Sequence, residues 1–464
     1  MLLAAYASVT VGVAVAGVGA VAGVGRLNGQ PVLAAVPSAG RWVRRRLSGR
    51  DRWFAPLPLW ADADGQQPPL PPALAGQRLL AVDAAAFQAG GGLGQIAVAH
   101  DERGGLWAAT LRVGGRRFAL LEPADQDRLI SWWGTALAAF CAERTPVASI
   151  RWSQWSAPAG AGQQQDYLVE HVADQPVAEA FAAYDQLLAA AGPLATTHEV
   201  LVTLTVDQRR LMAGRQQAGD RDRAAVETLL SELMLFARRL AAAGLVVSSP
   251  LSPAELARTL RVRLDPSCVA LLDQRSRRLG DRAGLVLPAN AGPLATQDAW
   301  TFWRADGSVH RAFFVARWPL LEVPAGWLQD VLLHVGAVRS VTVSYEPVPR
   351  STSQRRVLRE ASRLESDAED RRSKGFRVGA RHRRAATAVD EREEELVSGF
   401  GELDYAGVVV VTAADLDELE RACAETVQVA ASSGVELRPL DGRHDQAVGV
   451  SLPLARGLAP RRGR

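Results

Sequence analysis

An order of segments that occurs twice constrains this chain more than anything else in its 464 residues. In the first half, the apolar arms IAVAH and LWAATLRV flank DERGG at 101–105 and predict a hairpin over 95–113. A helix over 125–141, the strand VASIRWSQW, a helix over 177–191 and the strand HEVLVTLTV follow. A long amphipathic helix over 221–243, the strand LVVSS and a helix over 253–264 complete the set, with Pro253 in the permitted first turn. The second half runs in the same order. WTFWRADGSVHRAFFVARW is a hairpin turning at Asp306 and Gly307, then come a helix over 325–335 and the strand VRSVTVSYEPV. A charged helical stretch over 351–396, broken near Gly375 and Gly379, precedes the strand YAGVVVVTA, a helix over 415–432, the strand VELRPL and a last short strand, AVGVSLPL. The expected body is therefore α+β: two duplicated, ferredoxin-like modules at 79–265 and 295–455, the second carrying a charged helical insertion at 351–399. Each is expected to have its own antiparallel or mixed sheet with helices on one face.

Ahead of the body, residues 2–24 carry no charge. At about 1.5 Å per residue they reach about 34 Å, enough for a bilayer core of about 30 Å. No Lys or Arg precedes the run, as the n-region of a signal peptide would require. The reading is a transmembrane helix at 1–25, with Gly19 and Gly23 spaced for close approach of another helix. A basic, Trp-rich juxtamembrane segment at 26–60 follows, then a Pro-rich linker at 61–78. Arg41, Arg44, Arg45 and Arg46, with Arg26, Arg50 and Arg52 beside them, are membrane-orienting: by the positive-inside rule they place the rest of the chain in the cytoplasm. Trp42, Trp53 and Trp60 suit either headgroup-level anchors or packing against the first domain.

The signatures of chemistry are missing. A nucleotide motor needs a glycine-rich loop ending in Lys and Ser or Thr, yet Lys374, the one lysine, sits in RRSKGF without that frame. The glycines at 90–92 and 94 precede a strand rather than open a helix, so they do not form a dinucleotide turn. The seven histidines, His100, His171, His198, His310, His334, His382 and His444, form no metal-ligand pair, and Cys141, Cys268 and Cys423 lie far apart with no C-x-x-C. The carboxylates at 390–395 read as a solvated helix face. The chain is expected to be no enzyme and to hold no cofactor and no metal. One locally basic patch remains, Arg371, Arg372, Lys374, Arg377, Arg381, Arg383 and Arg384. With Phe376 as its one aromatic it is poorly supplied for base stacking, so a partner-binding or solvated surface is favoured over nucleic acid.

The residues also resemble a family. The apolar N-terminus, the Arg/Trp-rich stretch, GQIAVAHDERGGLWAATLRV, SWWGTALAAF, VDEREEELVSGFGELDYAGVVVVTAADLDELERACAE and the ending VGVSLPLARGL are similar to actinobacterial membrane proteins of conjugation-type, type IV secretion clusters. Those resemble the detached N-terminal, non-motor part of VirB-type secretion ATPases. The family shows two N-terminal spans where this chain shows one. The resemblance implies a non-catalytic, membrane-anchored structural subunit that docks a partner ATPase at the cytoplasmic membrane face. It further implies a small PrgI-like membrane protein as a second partner, and a homo- or hetero-oligomer. It carries no catalytic residue over. The alternatives are a subunit of another, type VII-like export machine and a membrane-tethered DNA-binding module.

Overall fold

The computed structural model describes residues 26–27, 30–56, 69–87, 94–115, 118–158, 171, 178–191, 196–211, 218–280, 285–319, 322–334 and 336–457. Besides a short antiparallel ribbon of Arg26–Leu27 with Gln30–Pro31, its strands are β1 (Arg52–Phe54), β2 (Gln77–Asp83), β3 (Gln95–Asp101), β4 (Leu106–Gly114), β5 (Val147–Pro158), β6 (Thr196–Asp207) and β7 (Val246–Pro250), then β8 (Ala295–Asp298), β9 (Trp303–Ala305), β10 (Ser308–Arg317), β11 (Val338–Pro347), β12 (Leu403–Ala413) and β13 (Glu436–Pro439). Its helices are α1 (Val32–Leu47), α2 (Pro123–Ala138), α3 (Ala178–Ala191), α4 (Ala218–Ala242), α5 (Pro253–Leu264), α6 (Val269–Leu279), α7 (Gln329–Leu333), α8 (Arg350–Ser373), α9 (Ala380–Val397), α10 (Leu416–Ser432) and α11 (His444–Ser451).

The 13 strands build one antiparallel sheet in the order β1-β8-β9-β10-β12-β11-β5-β6-β4-β3-β2, with β13 also on β10 and β7 also on β4. This corrects the expected fold of a membrane helix followed by two separate modules. The halves fuse through β5 and β11, from Arg339 opposite Ser156 to Tyr345 opposite Ile150. Both strands carry buried side chains on both faces, so neither could be left as an open edge, and each closes the other's. The order of pairing is nonetheless the same on either side of the join: β4 binds β6 and β7 as β10 binds β12 and β13.

Among the described residues no helix is long and apolar enough to cross a membrane. The segment read as a transmembrane helix, residues 2–24, lies outside the described residues, as do Trp60 and residues 61–68 of the linker reading.

Helices cover both faces, which explains the apolar run in β12. Val408 and Val410 join a core under α5, α11 and residues 452–455, while Val409 and Val411 join a core under α7 and α10. On that second face α2 and α4 cover the first half, with Phe236 and Leu233 of α4 fully buried over Ile150 and Leu204. The turn of the second hairpin places Asp306 at φ 48°, a left-handed conformation that Asp tolerates beside a glycine. Its carboxylate accepts from the Leu294 and Ala295 N–H groups at 2.8 and 2.9 Å, which holds β8 to the turn.

Two sequence readings differ from the structure. The last segment, expected as a strand, is helix α11 followed by an irregular stretch. A short apolar run buried on all sides has no period that separates strand from helix. The helix expected over 325–335 is cut to the five residues of α7. By contrast, α5 begins as read: Pro253 opens it, the Ser252 hydroxyl accepts from the Glu255 N–H at 3.4 Å, and the Glu255 carboxylate accepts from the Ser252 N–H at 2.8 Å. Loss of this reciprocal cap in Ser252→Ala is expected to cost about 1 kcal/mol, read from the denaturant midpoint.

Candidate functional site

Helices α8 and α9 form an antiparallel arm that packs mainly on itself. Its root is tied to the sheet. Arg356 pairs with Glu402 at 3.3 Å and Asp404 at 3.2 Å, Ser353 donates to Glu402, and the Ser351 hydroxyl donates to Glu143 of the first half at 3.0 Å. Val357, Ala368 and Val389 are buried between the helices, and Arg392 pairs with Glu360 at 2.6 Å. The 24 residues of α8 span about 36 Å at 1.5 Å per residue.

The arm ends in a turn with Gly375 at φ 73° and Phe376 two-thirds exposed. Here the structure brings the whole predicted patch to one place: Arg371 and Arg372 in the last turn of α8, Lys374 and Arg377 in the turn, and Arg381, Arg383 and Arg384 at the start of α9. No carboxylate falls within 371–384. Directly behind the tip the charge reverses, with Glu365, Asp367, Glu369 and Asp370 on α8 and Asp390, Glu391, Glu393, Glu394 and Glu395 on α9, all exposed. A polyanion lying along the arm would be attracted at the tip and repelled by the shaft, which argues against nucleic acid as its occupant.

The four arginines read as membrane-orienting divide. Arg41, Arg44 and Arg46 are exposed on α1, with Arg46 over the Trp42 ring at 5.5 Å. Arg45 instead turns inward, to Asp298 at 2.7 Å, Asp445 at 2.8 Å and the Gly442 carbonyl at 3.0 Å, and so fastens α1 to the second half. Trp42 meets Trp300 edge-on at 5.6 Å in the same joint, so it packs on the second half rather than the first. Burial, and then the neighbouring Asp445 charge, push the Asp298 carboxyl up to about 7 against the pull of Arg45. A carboxyl raised in the folded state binds its proton more tightly there than in the unfolded chain. Its contribution to stability is therefore full below about pH 4 and is lost as pH rises through about 7. Asp298→Asn is expected to remove this slope, so that the variant exceeds the parent in stability at pH 8 but not at pH 5, by denaturant unfolding at both values.

The remaining titratable groups hold structure. His310, pushed down to about 4 by burial, bridges the Leu264 carbonyl and the Thr412 hydroxyl, both at 2.9 Å. His444 Nδ1 accepts from the Ala312 N–H at 3.1 Å. The thiols of Cys141, Cys268 and Cys423 are all free and raised by burial. Among the described residues no three His, Cys, Asp or Glu side chains are grouped to hold a metal ion. Sequence reasoning missed Arg151, Arg263 and Arg339, buried arginines on central strands and α5, because nothing local marks an arginine as internal.

Against known proteins, the chain matches no family model and no curated protein.

Proposed function

We propose that this chain is a non-catalytic docking subunit of a type IV-like secretion or conjugation apparatus. In this reading the fused sheet is a rigid platform, and the arm is the element that engages a partner ATPase. The observation that carries the reading is the arm's position. Asp298, the clamp for α1, lies level with Val338 through the register Asp298–Trp303–His310–Thr412–Val338. The arm leaves from Pro347 and Leu403, nine residues further along the same strands, a distance of about 30 Å at 3.3 Å per residue. The N-terminal helix and the arm thus depart from opposite strand ends, as suits a spacer between an attachment point and a partner. A place at the cytoplasmic membrane, the ATPase and the small PrgI-like protein rest on the family resemblance.

Co-expression of the full chain with the secretion ATPase of its own gene neighbourhood tests this. The expected result is co-purification that is lost when Arg371, Arg372, Lys374 and Arg377 are changed to serine and Phe376 to alanine. A well-folded ATPase that fails to associate with the unaltered chain would overturn the reading.

A further inference from the structure

Helix α9 carries its charges in two blocks. Arg383 and Arg384 lie near its start, Asp390 and Glu391 follow the middle, and Thr387 and Ala388 lie between them. All six are exposed, and Arg383 and Asp390 also border the groove that α9 shares with α8. Ala380, Arg383, Arg384, Thr387, Ala388 and Glu391 line a shallow groove of about 500 Å³. The positions recur at three- and four-residue spacing, so they form one helix face. Small residues at its centre let a second helix approach closely, toward the short end of the usual 8–10 Å. Within the arm, Arg383 donates to the Val378 carbonyl at 3.0 Å and the Thr387 hydroxyl donates to the Arg383 carbonyl at 3.2 Å.

This face is complementary to itself when turned end for end. A second α9, antiparallel and centred on Thr387, sets Arg383 against Glu391 and Arg384 against Asp390, and does so twice by symmetry. Such isologous matching is what a two-fold dimer contact requires. A membrane or a nucleic acid presents one sign of charge and would satisfy half of the face while opposing the other half. We infer that the arm pairs with the arm of a second copy of this chain, antiparallel along α9, with the two-fold axis at Thr387. The pairing does not draw on Arg371, Arg372 or Lys374, so it is compatible with a tip that docks elsewhere, and it stands or falls independently of the secretion reading.

The test is a charge exchange in the full-length chain, kept in one mild detergent because of the apolar segment 2–24 and followed by sedimentation. Unaltered chain is expected to dimerise at low salt, with the dissociation constant rising about tenfold or more by 0.5 M salt as the charges are screened. Chain carrying Arg383→Glu and Arg384→Glu is expected to be monomeric, because acid then faces acid. Chain carrying Asp390→Arg and Glu391→Arg is expected to be monomeric for the converse reason. An equimolar mixture of the two restores the dimer, since both contacts are again opposite in sign. A single Thr387→Cys is expected to give a disulfide-linked dimer under mild oxidation, absent from the unaltered chain. Monomer at every salt concentration, dimers indifferent to the exchange, or a mixture that stays monomeric would each overturn the inference.

Discussion

Replacing Arg151 by alanine is expected to destabilise the folded chain by about 4 kcal/mol. The side chain lies on β5 next to the join of the two halves and is fully buried. Its guanidinium donates to the carbonyls of Leu452 at 2.7 Å, Leu454 at 3.2 Å and Arg456. Burial lowers its pKa to about 10, still far above neutrality, so it is a charge held under the stretch that follows α11. Gln77 of the opposite sheet edge completes the grip, donating to the Ala455 carbonyl at 3.3 Å and accepting from the Ala455 N–H at 3.1 Å. Alanine would remove three charge-assisted hydrogen bonds and open a cavity, while the Leu452 and Leu454 carbonyls keep the Leu454 and Arg456 N–H groups as partners at 2.8 Å, so the cost rests on the lost charged bonds, each about 1.5 kcal/mol or more. Lysine keeps the charge but not the planar fork, and is expected to recover less than half of the loss. Denaturant unfolding measures both, and proteolysis near residue 456 should accelerate in the alanine variant before global unfolding does. Unchanged stability in Arg151→Ala would mean that this stretch is not part of the folded unit.

The second large effect is expected at Arg45. Its side chain is one-fifth exposed and lies between Asp298, at 14 % exposure, and Asp445, at 4 %. Two carboxylates sharing one guanidinium cannot both stay charged cheaply once it is removed. Arg45→Ala is expected to cost about 3 kcal/mol at pH 8. The cost should be smaller at pH 5, where Asp298, raised to about 7, takes up a proton. Combining Arg45→Ala with Asp298→Asn should recover part of the loss at pH 8, which a double-mutant cycle reads directly. A pH-independent cost would show that the joint acts through packing of Trp42 on Trp300 rather than through charge.

Both arginines illustrate which parts of this protein were legible. Hairpins, central strands and long helices follow from local signals: an Asp-Gly turn, apolar runs, and Pro253 in a first helical turn. The arm was legible as charged helix interrupted by two glycines, and the basic patch as a run without carboxylates. What joins the pieces was not legible. The pairing of β5 with β11 links residues about 190 positions apart and has no turn to announce it. Arg45 read as a membrane-side cation because it stands in a run with Arg44 and Arg46 behind an apolar segment. Its helical position points it the other way, toward carboxylates more than 250 residues later. The final segment was misread because Ala447 and Val448 of the helix, and Leu452 and Leu454 after it, are all buried and leave no polar side to time the period.

The central claim is that the arm docks a partner, and contact from its tip tests that most directly. A photo-crosslinking residue placed at Phe376 in the full chain, irradiated in cells that also carry the neighbouring secretion ATPase, should yield a covalent adduct with the ATPase. The same residue placed at Leu47 on α1, beyond the opposite strand end, should not. An adduct from Leu47 alone, or adducts from Phe376 with nucleic acid in place of protein, would contradict the account.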